Sequence, residues 1–234
     1  MEGAEQHSPK VTLDQHFCRS ISEAFVYDQY RRCSGEFRFR RLHEYFYYLI
    51  VQPAYCAIVL FRIQQYLYSK AQKSRPGEKT VLGNFRFRFY DFMEKLTARL
   101  NFILNGGFEA NHNADVRPGL FIHHPQAIII GGNTKIGANC HLFKNVLFGV
   151  KNDGYPTIKD NVVIYANSVV LGGITVHNNA VIAPNSVVIN DVERSTIVAG
   201  VPAKPIGIND HVFIQKDGVP IWLHRSSQIP PDSA

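Results

Sequence analysis

The sequence predicts a mainly-β protein, a parallel β-helix built from six-residue units and preceded by an α-helical N-terminal region. Three observations carry this reading. First, an aliphatic or large apolar residue returns every six positions: Val116, Ile122; then Ile130, Ile136, Leu142, Phe148; then Ile158, Ile164, Val170, Val176, Ile182 and Val188. A spacing of six fits neither an amphipathic helix nor the alternation of a half-buried strand, so it calls for a repeat architecture. Second, Asn133, Asn139, Asn145, Asn161, Asn167, Gly173, Asn179, Asn185 and Asp191 stand three positions after the markers. These residue types enter left-handed backbone conformations at least cost, which suits a chain that turns a corner in every unit. Third, mostly small residues (Thr134, Cys140, Val146, Val162, Ser168, Ala180, Ser186) lie two positions before the markers and are expected to pack beside the corners. Short strands joined in this way wind into a triangular solenoid of roughly four coils, stacked at about 4.8 Å. The spacing does not set its hand.

The region before the solenoid reads as helical. From Leu13 to Lys70 the composition favours helix, with breaks expected near Ser34-Gly35 and at Pro53. "KSRPGEKTVLGN" reads as a loop, followed by a helix from about Phe85 to Leu104 that Asn105-Gly106-Gly107 ends. The expected divisions are a helical region at 1–105, a β-helix domain at 106–207 and a C-terminal tail at 208–234. Extra residues in a phased repeat must leave the stack as loops. One such loop falls near His123–Ile128 and another at "GVKNDGYP".

The chain has 234 residues and a net charge of +6, and the excess lies wholly N-terminal: residues 1–105 hold 16 Lys/Arg against 10 Asp/Glu. That asymmetry fits either a solvated basic face or an anionic partner. No nucleic-acid motif accompanies it, so nucleic acid is not expected. Cys18, Cys33, Cys56 and Cys140 show no metal or redox spacing, which fits a reduced, cytoplasmic protein. Met1 to Asp14 is polar, so no secretory signal is expected there. "YFYYLIVQPAYCAIVLF" at 45–61 is short for a membrane span and has Gln52 and Pro53 at its middle. A packed helix is the first reading, and peripheral contact at the inner face of a membrane is the second. The arginine-aromatic runs "FRFRRLHEYFYY" and "FRFRFYDFMEKL" suit a membrane interface and a helix covering apolar surface equally well.

The stretch "ADVRPGLFIHHPQAIIIGGNTKIGANCHLFKNVLFG", with "PTIKDNVVIYANSVVLGGITVHNNAVIAPNSVVINDV" and "STIVAGVPAKPIG", resembles the left-handed β-helix (hexapeptide-repeat) acyltransferases. Within them it resembles the serine acetyltransferase-like branch, which also holds O-acetyltransferases of bacterial capsule and lipopolysaccharide sugars. The resemblance implies left-handed coiling, a homotrimer and acetyl-CoA as co-substrate. It also implies that His124 is the general base and that Glu109, where the family often has Asp, orients the imidazole. His123 stands where serine-specific enzymes are frequently acidic. Gly154 and Tyr155 replace a basic residue and a histidine that help to hold serine. These departures favour a surface-glycan hydroxyl as acceptor, with His123 and Tyr155 on the substrate side. Serine O-acetylation and a non-catalytic assembly solenoid stand as the alternatives.

Carried over from the same resemblance, the coenzyme A contacts are Gly149, Ala166, Ala183 (beside Pro184, which has no N–H), Gly200 and Lys204. Transfer to a hydroxyl needs chiefly a base and correct placement, because the thioester is already activated. A backbone N–H is expected to serve the tetrahedral oxyanion. His112, His141 and His177 are structural or substrate-side by default. The histidine pair five apart that zinc-binding relatives of this fold use is absent, so no metal is expected.

Overall fold

The structure, a computed structural model, describes residues 53–74 and 81–209 and the backbone of two further strands at 211–216 and 219–224. Two helices come first, α1 (Pro53–Lys73) and α2 (Val81–Leu104). Pro53 is the first residue of α1, where a missing N–H costs nothing and a fixed φ is already helical. The second helix takes in Val81–Asn84, which the turn-forming composition of that stretch predicts as loop. It ends where expected: Gly106 adopts a φ of 64° and the Gly107 N–H bonds to the Phe102 carbonyl at 2.8 Å, closing a Schellman motif. The expected helix over 13–52, Cys18, Cys33 and the first half of the 45–61 stretch lie outside the described residues. The second half of that stretch is inside α1 and packed, with Ala54, Tyr55, Ala57, Ile58 and Phe61 buried. No described helix is long and apolar enough to cross a membrane.

A parallel β-helix follows. Its first coil is β1 (Glu109–Ala110), β2 (Asp115–Val116) and β3 (Phe121–Ile122). The second is β4 (Ile129–Ile130), β5 (Lys135–Ile136) and β6 (His141–Leu142). The third is β7 (Leu147–Gly149), β8 (Thr157–Ile158) and β9 (Val163–Ile164), and the fourth is β10 (Val169–Leu171), β11 (Thr175–Val176) and β12 (Val181–Ile182). A last partial coil holds β13 (Val187–Val188) and β14 (Thr196–Gly200), after which β15 (Ala203–Ile208) turns back antiparallel on β14. Beyond it β16 (His211–Lys216) and β17 (Val219–His224) form a hairpin in what was expected as an unplaced tail. Stacking gives three sheets: β1-β4-β7-β10-β13, β2-β5-β8-β11 and β3-β6-β9-β12-β14-β15.

All twelve apolar markers point into the prism, none more than 6% exposed, and Ala110 adds an earlier one. The small residues two positions before them are buried as expected. Asn133, Asn139, Asn145, Asn161, Asn167, Asn179 and Asn185 all take φ between 56° and 62°. Along the corner between the third and first sheets their amides stack, Asn145 Nδ2 donating to Asn167 Oδ1 and Asn167 Nδ2 to Asn185 Oδ1, each at 3.0 Å. Two expected corner residues are not corners. Gly172, with φ 93°, turns the chain in place of Gly173. Asp191 instead uses its carboxylate, accepting from the Thr175 N–H at 2.8 Å.

The open N-terminal end of a solenoid exposes carbonyls that no further coil can satisfy. Here α1 covers them. Arg62, buried, donates to the carbonyls of Val116 (2.9 Å) and Arg117 (3.2 Å), and Gln65 donates to that of Ala114 (3.1 Å). Phe61 meets Phe108 edge-on at 6.5 Å, joining the helix to the solenoid core. The second helix packs its polar side on α1: Gln64 Nε2 donates to Glu94 Oε1 (2.9 Å) and Asn101 Nδ2 to the Ala57 carbonyl (3.0 Å). Glu94 also faces His112 Nδ1 at 3.2 Å, and the His112 ring stacks on Tyr68, so His112 is a structural clasp between helices and first coil.

Candidate active site

The loop at 123–128 bridges the third sheet and the first. It is two residues longer than the other connections at this edge, so it bulges while both its ends stay pinned. His123 N–H bonds to the Leu142 carbonyl (2.9 Å), Asn145 N–H to the Gln126 carbonyl (2.8 Å) and Ala127 N–H to the Gly106 carbonyl (3.0 Å). Ala127 takes the corner position with φ 54°, a conformation that alanine adopts at a cost. His124 is held on this frame with its side chain exposed. Glu109, also exposed, begins the first sheet beside the far end of the loop, its N–H bonded to the Ile128 carbonyl at 2.9 Å. The two residues therefore share one edge of the prism, and no hydrogen bond joins their side chains among the described residues.

Strand register extends that edge. Ile122, Leu142, Ile164, Ile182 and Val198 are aligned across the third sheet, and two residues further on Lys144, Ala166, Pro184 and Gly200 form a column up the corner. In the first coil the two extra residues put Gln126 beneath Lys144, its carbonyl accepting from Asn145 N–H as that of Lys144 accepts from Asn167 N–H, and His124 stands in the bulge just before it. Lys204 lies at the top of the column, in β15 opposite Ala199. Ala166, Gly200 and Lys204 thus share one edge of the prism with the loop that carries His124, as does Lys144, an exposed cation one coil above that loop which no motif marks in the sequence. Gly200 needs its own residue type, with a φ of 100° and its N–H bonded to Ser186 Oγ at 3.3 Å. The Ala183 N–H donates to the Val198 carbonyl at 2.9 Å, so within the coil it is not available to replace the donor that Pro184 lacks.

Two expected residues stand elsewhere. Gly149 ends β7 and Tyr155 closes the second loop, both on the next edge, between the first and second sheets. That loop is a two-residue hairpin: Lys151 and Gly154 bridge antiparallel while Asn152 and Asp153 take φ of 50° and 59°, the signature of a type I′ turn. The Tyr155 ring lies over Gly131, where an added Cβ would meet it at 3.1 Å, so the ring covers the adjacent coil. Gly154 packs against Gly173, and a Cβ on Gly154 would come within 2.5 Å of the Gly173 backbone.

On the outer face of the third sheet His123 Nε2 lies 3.2 Å from His141 Nδ1, so one ring donates and the other accepts. His123 also stacks on Phe143 (centroids 4.0 Å apart), which stacks on Tyr165 (4.8 Å). His141 is expected only as a structural or substrate-side residue, and no motif marks Phe143 or Tyr165 in the sequence. The signal is register: His123, Phe143 and Tyr165 recur at one position on successive coils, and His141 stands two residues before Phe143. Among the described residues no group of three His, Cys, Asp or Glu side chains is placed to hold a metal.

Residues 155–190 match the family described as bacterial transferase hexapeptide (six repeats). Serine acetyltransferase of Synechococcus elongatus is 28% identical over 190 residues, covering 80% of this chain and 67% of that one. The serine acetyltransferase of Staphylococcus xylosus is 37% identical over 100 residues, covering 41% and 46%. A crystal structure of Neisseria gonorrhoeae serine acetyltransferase in complex with serine superposes with a TM-score of 0.61 at 27% identity, covering 80% of this chain and 69% of that one. The chain is thus similar to serine acetyltransferases in both sequence and fold. It spans about half to two thirds of the length of these relatives. Its likeness is to the serine acetyltransferases, and the expected capsule and lipopolysaccharide branch finds no support among these relatives.

Proposed function

We propose that this acyltransferase moves an acetyl group from acetyl-CoA to the hydroxyl of serine or a closely similar small hydroxylated amino acid, with His124 as general base. One observation carries the reading. His124 is exposed on a loop pinned at both ends, on the same edge of the prism as the column of Lys144, Ala166, Gly200 and Lys204, which supports a base beside a coenzyme path. The likeness to serine acetyltransferases supplies the acceptor.

The chemistry needs little else. Neutral His124 takes the proton as the acceptor oxygen attacks the thioester carbonyl. The tetrahedral intermediate collapses with C–S cleavage, and the imidazolium returns the proton to the departing thiolate. Glu109, on the same edge, steadies the imidazolium and fixes its tautomer once the acceptor is in place. Lys144 and Lys204 supply positive charge along the column for the coenzyme phosphates. Gly149 and Tyr155 stand on a different edge, so a site that uses them is completed by a neighbouring copy, in keeping with a homotrimer.

A second reading rests on His123 and on Gly154-Tyr155, which replace the residues expected to hold serine's charged groups: the acceptor is then a sugar hydroxyl. Thiol release from acetyl-CoA, measured with L-serine and with oligosaccharides as acceptors, separates the two. Stimulation by serine supports the first reading and stimulation only by a glycan supports the second. His124→Ala should lower kcat by roughly 10²- to 10⁴-fold while the protein stays folded. A variant that keeps more than a tenth of the rate removes His124 from the role of base.

A further inference from the structure

The second helix, α2, is amphipathic the wrong way round. Its polar residues Glu94, Thr97 and Asn101 are buried against α1, each 7% exposed or less. On the opposite side Phe85, Phe89, Phe92, Leu96, Leu100 and Ile103 recur at steps of three and four, so they form one stripe. All six are between 39% and 67% exposed. At 1.5 Å per residue the stripe is about 27 Å long. A water-facing surface helix has the reverse arrangement, with its apolar stripe on the core.

Charge lines the stripe. Arg88 and Arg99 project along one flank and Arg86 along the other, all exposed and none in an ion pair among the described residues. Lys95, beside Arg88 and Arg99, is engaged by Asp91 at 2.7 Å. Two copies of this face brought together would set like-charged guanidinium groups against one another, whereas a surface of phosphate groups would neutralise them. Arg99 also lies over the Phe102 ring at 5.7 Å, which leaves its charge without a carboxylate. Large apolar side chains between arginines that no carboxylate neutralises are what an interfacial helix presents to the headgroup and acyl boundary.

We propose that this face of α2 docks the protein on an anionic phospholipid bilayer, with the Phe85–Phe89–Phe92 end entering the interface and Arg86, Arg88 and Arg99 meeting lipid phosphates. Docking is peripheral and uses no membrane-spanning segment. It is independent of which acceptor the enzyme uses.

The test is flotation of the full chain with vesicles of phosphatidylcholine alone and of phosphatidylcholine mixed with phosphatidylglycerol. Wild-type protein should float with the anionic vesicles only. Both Phe85→Ser/Phe92→Ser and Arg88→Gln/Arg99→Gln should reduce the bound fraction by roughly tenfold or more. All six side chains of the stripe are exposed, so these variants should keep the wild-type melting temperature and rate of thiol release. Failure of wild-type protein to float overturns the proposal, as does flotation that both variants leave unchanged. A wild-type assembly that Phe85→Ser/Phe92→Ser splits into smaller units, with no vesicle binding, also overturns it and gives the face to a second copy of the chain.

Discussion

Ala127 turns the corner that asparagine turns in the coils above it, at φ 54°, and the amide ladder of Asn145, Asn167 and Asn185 stops where it begins. Alanine in this conformation costs about 1 kcal/mol, and asparagine less. Ala127→Asn should therefore raise stability by about 1 kcal/mol and the melting temperature by roughly 2–4 °C. Asn167→Ala should lose a similar amount or more, since it strains a corner and removes two rungs at once; differential scanning calorimetry on the pair checks both signs. Asparagine announces such corners in the sequence because its short amide tolerates the left-handed region. Alanine and serine carry no such mark, so Ala127 and Ser195 were not legible, although Ser195 takes φ 55°. Asp191 carries the corner mark without turning a corner, because its carboxylate serves equally well as an acceptor for a neighbouring coil, and that is how it is used.

At the scale of the element, the strands were legible almost residue by residue because each contributes one inward side chain per six residues, and all twelve are buried. The helices were legible only as composition. What α1 does could not be read, because capping the first coil depends on where Arg62 and Gln65 arrive in space. That role predicts a large effect from one side chain. Arg62→Met keeps much of the buried bulk and leaves the Val116 and Arg117 carbonyls without donors, so it should cost about 2–3 kcal/mol. Denaturant unfolding should show a lower midpoint with an unchanged slope. A midpoint equal to wild type would mean that the rim of the solenoid needs no cap. The two loops were legible as insertions, but not their different uses. One exposes His124, and the other is a tight hairpin that lays Tyr155 over Gly131.

For the whole molecule, the prism sorts the expected site residues onto edges, which a linear sequence cannot show. His124, Glu109, Ala166, Gly200 and Lys204 lie along one edge, Gly149 and Tyr155 along the next, and His123 joins an aromatic row on the face between corners. The likeness to serine acetyltransferases and the departures at His123 and Tyr155 pull the acceptor in different directions. The base is common to both readings. The most direct measurement is therefore steady-state thiol release from acetyl-CoA by wild-type protein and His124→Ala, with L-serine as acceptor. The account predicts serine-dependent release by wild-type protein and a kcat lower by roughly 10²- to 10⁴-fold in the variant, with the same melting temperature. Serine-dependent release that survives loss of the His124 imidazole, or release that serine does not stimulate, would contradict it.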